Sequence, residues 1–126
     1  METVSDLRPR DAAMLMHGLA NLGVKSRAVS DLFRGVQPQL VERVGESDAQ
    51  TVANAVWALA TAGEAASPAF LSAMQARGAE IADSFTPQGV ANLLWGLATI
   101  GAGARTASAR SEGARLDGAR HEGARV

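Results

Sequence analysis

The sequence predicts an all-α protein, built as a right-handed α-solenoid of helical hairpins. Alanine is abundant and tyrosine is absent, and this composition favours helix over sheet. One apolar segment recurs with a period of 38 to 40 residues, which is typical of helical-hairpin repeats. The apolar residues of each copy follow helical spacing, whereas propeller repeats of similar length would be strand-like.

The repeat becomes visible when three segments of the chain are aligned: residues 10–23, 50–63 and 88–101. The second and third segments are identical at nine of their fourteen positions, and each carries a tryptophan, Trp57 or Trp95. The first segment matches less well and has His17 at the tryptophan position. This alignment predicts about two and a half copies of one supersecondary unit.

We predict one helical-repeat domain over residues 6–101. Its repeats are predicted at residues 6–46, 47–84 and an incomplete 85–101. After Gly101 the sequence consists of pentads rich in Gly, Ala and Arg, with almost no large apolar residue. Such a segment buries too little apolar surface to offset its ordering entropy, so we expect residues 102–126 to be disordered. Because solenoids need about three repeats, the chain is expected to belong to a longer array or to need a partner.

Each predicted helix has a recognisable beginning and end. Thr86 and a capping box from Ser47 to Gln50 are predicted N-caps. Gly35 and Pro38 are expected to bend or split the second helix. The glycines expected to end the first helices in a left-handed conformation are Gly23, Gly63 and Gly101. The predicted helices are residues 9–22, 27–44, 48–62, 67–83 and 86–100.

Composition argues against several classes of function. The chain has no cysteine and two histidines, so neither a metal site nor a cofactor is predicted. His17 is expected to be a half-buried packing residue, and no carboxylate pair or phosphate loop accompanies it, so we predict that the protein is not an enzyme. No apolar run reaches the roughly 18 residues that a membrane span needs. The beginning of the sequence shows no targeting peptide.

The charge of the chain gives no support to nucleic-acid binding. The formal net charge is −1, and residues 1–101 contain seven Lys or Arg against ten Asp or Glu. A nucleic-acid-binding domain usually has a basic surface. The arginines lie mainly in the pentads, where they either add phosphate affinity or have no function.

A polar face is nevertheless predicted on the first helix of each repeat. Polar residues recur there at helical spacing, with the small residues Ala58 and Gly96 at the centre. Amides and hydroxyls of this kind can hydrogen-bond single-stranded bases. The candidate RNA-binding residues are Arg10, Asn21, Gln50, Asn54, Thr61, Gln88, Asn92 and Thr99.

Structural roles compete with this interpretation. Asn54 and Asn92 are identical in two repeats, and an invariant asparagine favours a structural ladder over base reading. The tryptophans are predicted to pack between repeats, although they could stack on bases. The predicted repeat core comprises Trp57, Leu59, Trp95 and Leu97.

The string Ala-Asn-x-x-Trp-x-Leu-Ala-Thr-x-Gly occurs twice, over residues 53–63 and 91–101. It resembles the octotricopeptide-type repeat, a degenerate helical hairpin of about 38 residues. It is also similar to repeats of the FAST-kinase-like family and of the RNA-editing substrate-binding complex of protist mitochondria. The resemblance covers residues 47–101 well and residues 10–46 loosely.

The resemblance implies a non-catalytic RNA-binding protein of mitochondria or chloroplasts. Its role would be in processing, editing, stability or translation of organellar transcripts, with single-stranded RNA as partner. The alternative is a protein–protein interaction scaffold without a nucleic-acid ligand, which the acidic body favours. Neither alternative requires a membrane.

Overall fold

A computed structural model describes residues 7–103 of the chain. Within that range the protein has five α-helices and no strand. They are α1 (Pro9–Leu22), α2 (Arg27–Glu42), α3 (Ala49–Ala62), α4 (Pro68–Glu80) and α5 (residues 87–103). Two 3₁₀ turns, Val44–Glu46 and Ala82–Ser84, precede α3 and α5. The all-α prediction is confirmed for residues 7–103. The predicted disorder of residues 102–126 is wrong for residues 102 and 103, which continue α5, and the rest of that segment lies outside the described residues.

Glycines end two of the helices as predicted, but not the last one. Gly23 and Gly63 cap α1 and α3 with φ of 69° and 70°. Gly101 lies inside α5, which continues to residue 103, and its φ is not positive. The prediction that Gly101 ends the helix is therefore wrong. The chain continues there into Ala102, the residue with the best helix propensity, and no proline follows.

Polar side chains cap the N-termini of α3 and α5, and one of these two caps differs from the prediction. The Thr86 hydroxyl accepts from the Gly89 N–H at 3.0 Å, as predicted. At α3 the cap is Asp48, which accepts from the Thr51 N–H at 2.8 Å, so the capping box is wrong by one residue. A carboxylate caps as well as a hydroxyl and also interacts favourably with the helix dipole. Ser47 is buried, and its hydroxyl has no hydrogen-bond partner among the described residues.

The second helix of the first repeat is continuous. Pro38 lies inside α2, and no break occurs there or at Gly35. An internal proline costs a helix about 3 kcal/mol. Full burial of Phe33, Val36 and Leu40 on either side of it offsets that cost, and the predicted split is therefore not seen.

The helices form two layers. The first helices lie side by side, with α1 and α5 on opposite flanks of α3, and α2 packs against α4 to make the second layer. The largest buried side chains lie where the layers meet. They include Met16, Phe33, Leu40, Val52, Val56, Leu59, Phe70 and Met74. This arrangement leaves the opposite side of the first layer free of any helix in the described part of the chain.

An arginine at the end of each second helix closes its hairpin. Arg43 donates from Nη1 to the Leu7 carbonyl at 3.1 Å. Arg77 donates from Nε to the Ser47 carbonyl at 2.9 Å. Leu7 and Ser47 are 40 residues apart and precede the first helices α1 and α3, so the two acceptors are equivalent. The donors differ in position, because Arg43 follows the end of α2 whereas Arg77 lies in the last turn of α4 and also donates from Nη2 to the Gly45 carbonyl at 3.0 Å. Each guanidinium also pairs with the glutamate three residues later.

Polar contacts also join the two hairpins. The Gln37 side chain donates to the Ala65 carbonyl at 2.9 Å and accepts from the Ser67 N–H at 2.8 Å. The Lys25 ammonium donates to the Ala62 carbonyl at 2.6 Å. These contacts connect α2 and the turn before it to the turn between α3 and α4. They fix how the second hairpin sits on the first.

Candidate nucleic-acid interface

One side of each first helix faces largely away from the second layer, although His17 of α1 and Trp57 of α3 contact each other on it. The residues on it recur at i, i+4, i+7 and i+11, which is one helical face. Every one of them is exposed or half-buried. We call this surface the first-helix face, and it comprises Arg10, Met14, His17 and Asn21 of α1, Gln50, Asn54, Trp57 and Thr61 of α3, and Gln88, Asn92, Trp95 and Thr99 of α5.

The small residues expected at the centre of this face lie elsewhere on α3 and α5. Ala58 and Gly96 are buried. A Cβ built on Gly96 would lie 2.7 Å from the Val56 Cγ1, so Gly96 faces α3 at close range. Ala58 and Gly96 therefore serve the junctions between first helices, and their expected place on the polar face is wrong. A residue eight positions after Gln50 or Gln88 has rotated by about 80° from it, far enough to reach the flanking helix.

Two shallow grooves run along the first-helix face. The groove between α1 and α3 has a volume of about 330 Å³. The groove between α3 and α5 has a volume of about 440 Å³. Gln50 and Asn54 line both, so their amides stand on the ridge between the grooves. Arg10 lines the first groove, and Gln88 and Asn92 line the second.

The other three candidate residues lie at the opposite ends of the helices. Asn21 and Thr61 are each eleven residues beyond Arg10 or Gln50, which separates them from these residues by about 16 Å along the helix axis, and neither lines a groove. Thr99 instead lines an apolar cavity of about 510 Å³, together with Leu71 and Ile100. The structure thus brings five of the eight candidates together in the grooves and leaves three apart.

The amides of the second groove are partly organised. Gln88 Nε2 donates to Asn92 Oδ1 at 2.9 Å, which orients both side chains along the groove. Within residues 7–103, no hydrogen bond joins the Asn54 and Asn92 side chains. The expected asparagine ladder is therefore not formed by a direct contact between these two residues.

The aromatic residues of the repeat occupy two different environments. Trp57 is half-buried and stacks on His17, with ring centroids 4.7 Å apart and an interplanar angle of 30°. Trp95 is 49% exposed, in contrast to the expected core position. Among the described residues, no further helix covers the flank of α5 on which it stands. Sequence reasoning missed the stack because it treated His17 as an isolated substitution.

The leucines of the predicted repeat core lie inside. Leu59 is fully buried, and Leu97 is partly buried against the common core. The aromatic and aliphatic positions of the repeat therefore diverge. The leucines face the second layer, and the tryptophans belong to the rim of the first-helix face.

Electrostatics make the grooves polar but only weakly charged. Arg10 is the one Lys or Arg among the residues that line the two grooves. Asp48 lines the second groove, and hydrogen bonds from the Thr51 hydroxyl and then from its N–H lower the pKa of this carboxyl. A fixed negative charge there disfavours phosphates. The grooves can therefore offer amide hydrogen bonds and aromatic faces to neutral ring systems, and little attraction to a phosphate backbone.

No protein-family model matches the chain, and no curated protein or solved structure is similar enough to match it. The helices in the described part of the chain are too short or too polar to cross a membrane. Residues 7–103 contain no group of three His, Asp or Glu side chains placed to hold a metal ion.

Proposed function

We propose that the protein is a non-catalytic, right-handed α-solenoid that binds single-stranded RNA in the two grooves of the first-helix face. The observation that carries the proposal is the repetition of one chemistry on neighbouring helices. Gln50, Asn54 and Trp57 of α3 occupy the same positions as Gln88, Asn92 and Trp95 of α5. Amides can hydrogen-bond base edges, and indoles can stack on base faces.

The spacing of the helices also supports this ligand. First helices that pack side by side lie about 8–10 Å apart, so the equivalent polar residues of successive repeats lie next to one another along one surface. In helical-repeat proteins that read RNA, one repeat contacts one base. The described residues therefore offer subsites for two or three nucleotides, and the expected affinity of one chain is modest.

The resemblance of the Trp-bearing segments to octotricopeptide-type repeats extends the proposal to a cellular role. We propose that the protein acts in organellar RNA metabolism, in processing, editing, stability or translation of transcripts, in a mitochondrion or a chloroplast. Fluorescence microscopy of the chain expressed from its natural gene locus tests the location. Uniform distribution outside both organelles would contradict this part of the proposal alone.

Fluorescence anisotropy with a labelled single-stranded RNA of mixed sequence tests binding at low salt. The Asn54→Ala/Asn92→Ala double variant should bind at least about tenfold more weakly, because each lost base contact removes about 1–3 kcal/mol. Gln75→Ala, on the exposed side of α4, is the matched control and should bind like the wild type. Circular dichroism must show unchanged helix content in both.

The dependence on salt sharpens the test. With one arginine lining the grooves, Arg10→Gln should reduce the slope of log affinity against log salt by about 0.7, the value for one phosphate contact. Failure to bind RNA at low salt with the full chain at high micromolar concentration would remove the proposal. Equal binding by the double variant would place the RNA outside the grooves.

A protein-interaction scaffold is the second candidate function. It is favoured by exposed apolar side chains on α1 and α5, among them Leu22 at 78% exposure and Leu94 at 60%. A protein partner would remain associated after ribonuclease treatment, whereas an RNA-bridged one would be lost. Partner binding that survives this treatment and is abolished by changes on α1 or α5, but not in the grooves, would favour the scaffold.

A further inference from the structure

The exposed large apolar side chains of residues 7–103 are confined to the two ends of the helical array. The second layer and α3 contribute none of them. Those at one end are Met14, Leu15, Leu22 and Val24, on α1 or just after its cap, and those at the other are Val90, Leu94 and Trp95, on α5. The array therefore has an apolar head on α1 and an apolar tail on α5.

The two junctions between first helices inside the array are packed in the same way. A long side chain of one helix lies on a small residue of the next. Val56 of α3 is fully buried and lies against Gly96 of α5, where no Cβ would fit. One repeat earlier, the same two positions are held by Met16 of α1 and Ala58 of α3, and both are fully buried in the same core.

At the two ends of the array, the long residue and the small residue of this contact are both present, but neither packs against a partner within the described residues. Leu94 is the long side chain of α5 at the Val56 position, and it is 60% exposed. Gly18 is the small residue of α1 at the Gly96 position and lies at the edge of the groove between α1 and α3. Apart from its chain neighbours and the backbone of its own helix, nothing lies within 4 Å of where its Cβ would be. Leu15 and Leu22 flank Gly18 on the same side of α1 at spacings of three and four residues. An interior glycine destabilises a helix relative to alanine, and nothing within the described residues explains the glycine at position 18.

We propose that the tail of one copy of this chain docks on the head of a second copy, with Leu94 seated on Gly18 of that copy. The contact continues the register of the α1–α3 and α3–α5 junctions from one molecule to the next. A second copy is the occupant because this chain already carries both complementary surfaces. The sequence beyond residue 103 has Leu116 and Val126 as its only large apolar side chains, which is too few to cover either end.

The interface is heterologous, since it joins two different surfaces. Such an interface adds copies without closing unless the rotation forms a ring. The mean mass should therefore rise with concentration above the 13.0 kDa of one chain. In the assembly, the grooves of successive copies form one longer surface. The proposed assembly is a property in addition to RNA binding and does not require RNA.

Sedimentation velocity of the full chain over a wide concentration range, without RNA, tests the assembly. Leu94→Glu removes the tail contact, and Gly18→Gln fills the head position. Each should weaken self-association at least about tenfold, because an unpaired charge or an extra side chain must be accommodated in an apolar contact. Gly35→Gln makes the same change at another helical glycine with no atom near its missing Cβ, and it should assemble like the wild type.

Mixing the two end variants distinguishes head-to-tail docking from any symmetric dimer. Leu94→Glu retains a good head and Gly18→Gln retains a good tail, so the mixture should form a one-to-one complex and nothing larger. A wild-type chain that stays monomeric at every concentration overturns the proposal. So does a dimer that Gly18→Gln leaves intact, or a mixture that stays monomeric although both variants keep wild-type helix content. If Gly18→Gln loses helix content, Leu15→Glu replaces it as the head variant with the same expected outcomes.

Discussion

The two junctions of the array differ in a way that their sequences do not suggest. The second and third repeats are the more alike, with nine identities in fourteen positions, yet α5 packs on α3 and through Leu93 on Gly78 of α4, with one flank open. The divergent first repeat is joined to the second by both layers, the Gln37 contacts and the His17–Trp57 stack. Sequence similarity therefore identifies the repeating unit, whereas the burial of its residues depends on which neighbouring helices pack against that unit.

The largest expected effect is a difference in the free energy of unfolding between substitutions at two equivalent residues, one at each end of the first layer. Met16 and Leu94 hold the same repeat position, but Met16 is fully buried and Leu94 is 60% exposed. Met16→Ala should lower the free energy of unfolding by about 2–5 kcal/mol, because it leaves a cavity in the core. Leu94→Ala should change it by less than about 0.5 kcal/mol, because the side chain is largely in water.

Urea denaturation followed by circular dichroism at 222 nm measures both changes. The protein must be dilute enough to be monomeric, so that docking does not add to the stability of the wild type. Similar losses for Met16→Ala and Leu94→Ala would show that α5 is covered in solution and would remove the contrast between the junctions.

A smaller loss is expected at the close contact between α3 and α5. In Gly96→Ala the new methyl would lie 2.7 Å from the Val56 Cγ1 and 3.2 Å from the Val56 carbonyl oxygen. The helices must separate to accept it, and we expect a loss of about 1–3 kcal/mol in the free energy of unfolding. Gly35→Ala, where the Cβ meets nothing within 4 Å, should instead stabilise the protein by about 0.5–1 kcal/mol.

The Gly96 effect can be assigned to its partner with a double variant. Val56→Ala removes the methyl group that the new Cβ meets, so the Val56→Ala/Gly96→Ala variant should lose less than the sum of the two single losses. Additive losses would mean that Gly96→Ala acts elsewhere on α5.

The smallest expected effect is a pH-dependent contribution to stability from the N-cap of α3, which the N-cap of α5 does not share. Asp48 caps α3 with a carboxylate, whereas Thr86 caps α5 with a hydroxyl that does not titrate. Because folding lowers the pKa of Asp48, its contribution is complete above the unfolded-state pKa and is lost as the pH falls through the folded-state pKa. Asp48→Asn keeps a capping side chain without the charge and should cost about 0.3–1 kcal/mol at neutral pH.

Denaturation of wild type and Asp48→Asn from pH 7 to pH 2 measures this difference. The gap between the two proteins should close in the acid range, while other carboxylates affect both equally. A gap that stays constant with pH would show that the Asp48 carboxylate does not stabilise α3 through its charge.

Local chemistry was enough to predict most of the helices. Pro9, Gly23 and Gly63 mark helix ends by backbone conformation alone, and all three are where the sequence places them. Gly101 misled the prediction because a C-terminal glycine ends a helix only when the chain turns there. Pro38 misled it because core burial of its neighbours outweighs the local preference.

The tertiary ties were not predicted, because they join residues more than 25 positions apart. Gln37 and Arg77 read as ordinary polar residues of amphipathic helices until the turns they contact are known. The sequence carries an arginine followed three residues later by a glutamate near the end of each second helix. The two arginines are 34 residues apart, so an alignment at the repeat period of 38 to 40 residues does not superpose them.

The candidate face was predicted in composition but not in detail. Helical spacing placed Gln50 and Asn54 on one side of α3 correctly, since that side follows from periodicity. It could not tell that Ala58 turns toward α1 or that Trp95 remains exposed, because both depend on which flanks of a helix have neighbours. Whether this face binds RNA stays a prediction for the anisotropy experiment.

The arginine tethers have a consequence for how such a chain can change over evolution. Arg43 and Arg77 each reach back to the segment that starts their own hairpin, and Arg77 also donates to the Gly45 carbonyl just before that segment. All of these acceptors are backbone carbonyls, so closing a unit requires no particular side chain outside it. A tandem gene duplication of about 40 codons therefore copies the closure together with the helices. Arrays of this kind can lengthen or shorten by whole units without compensating substitutions in the rest of the protein.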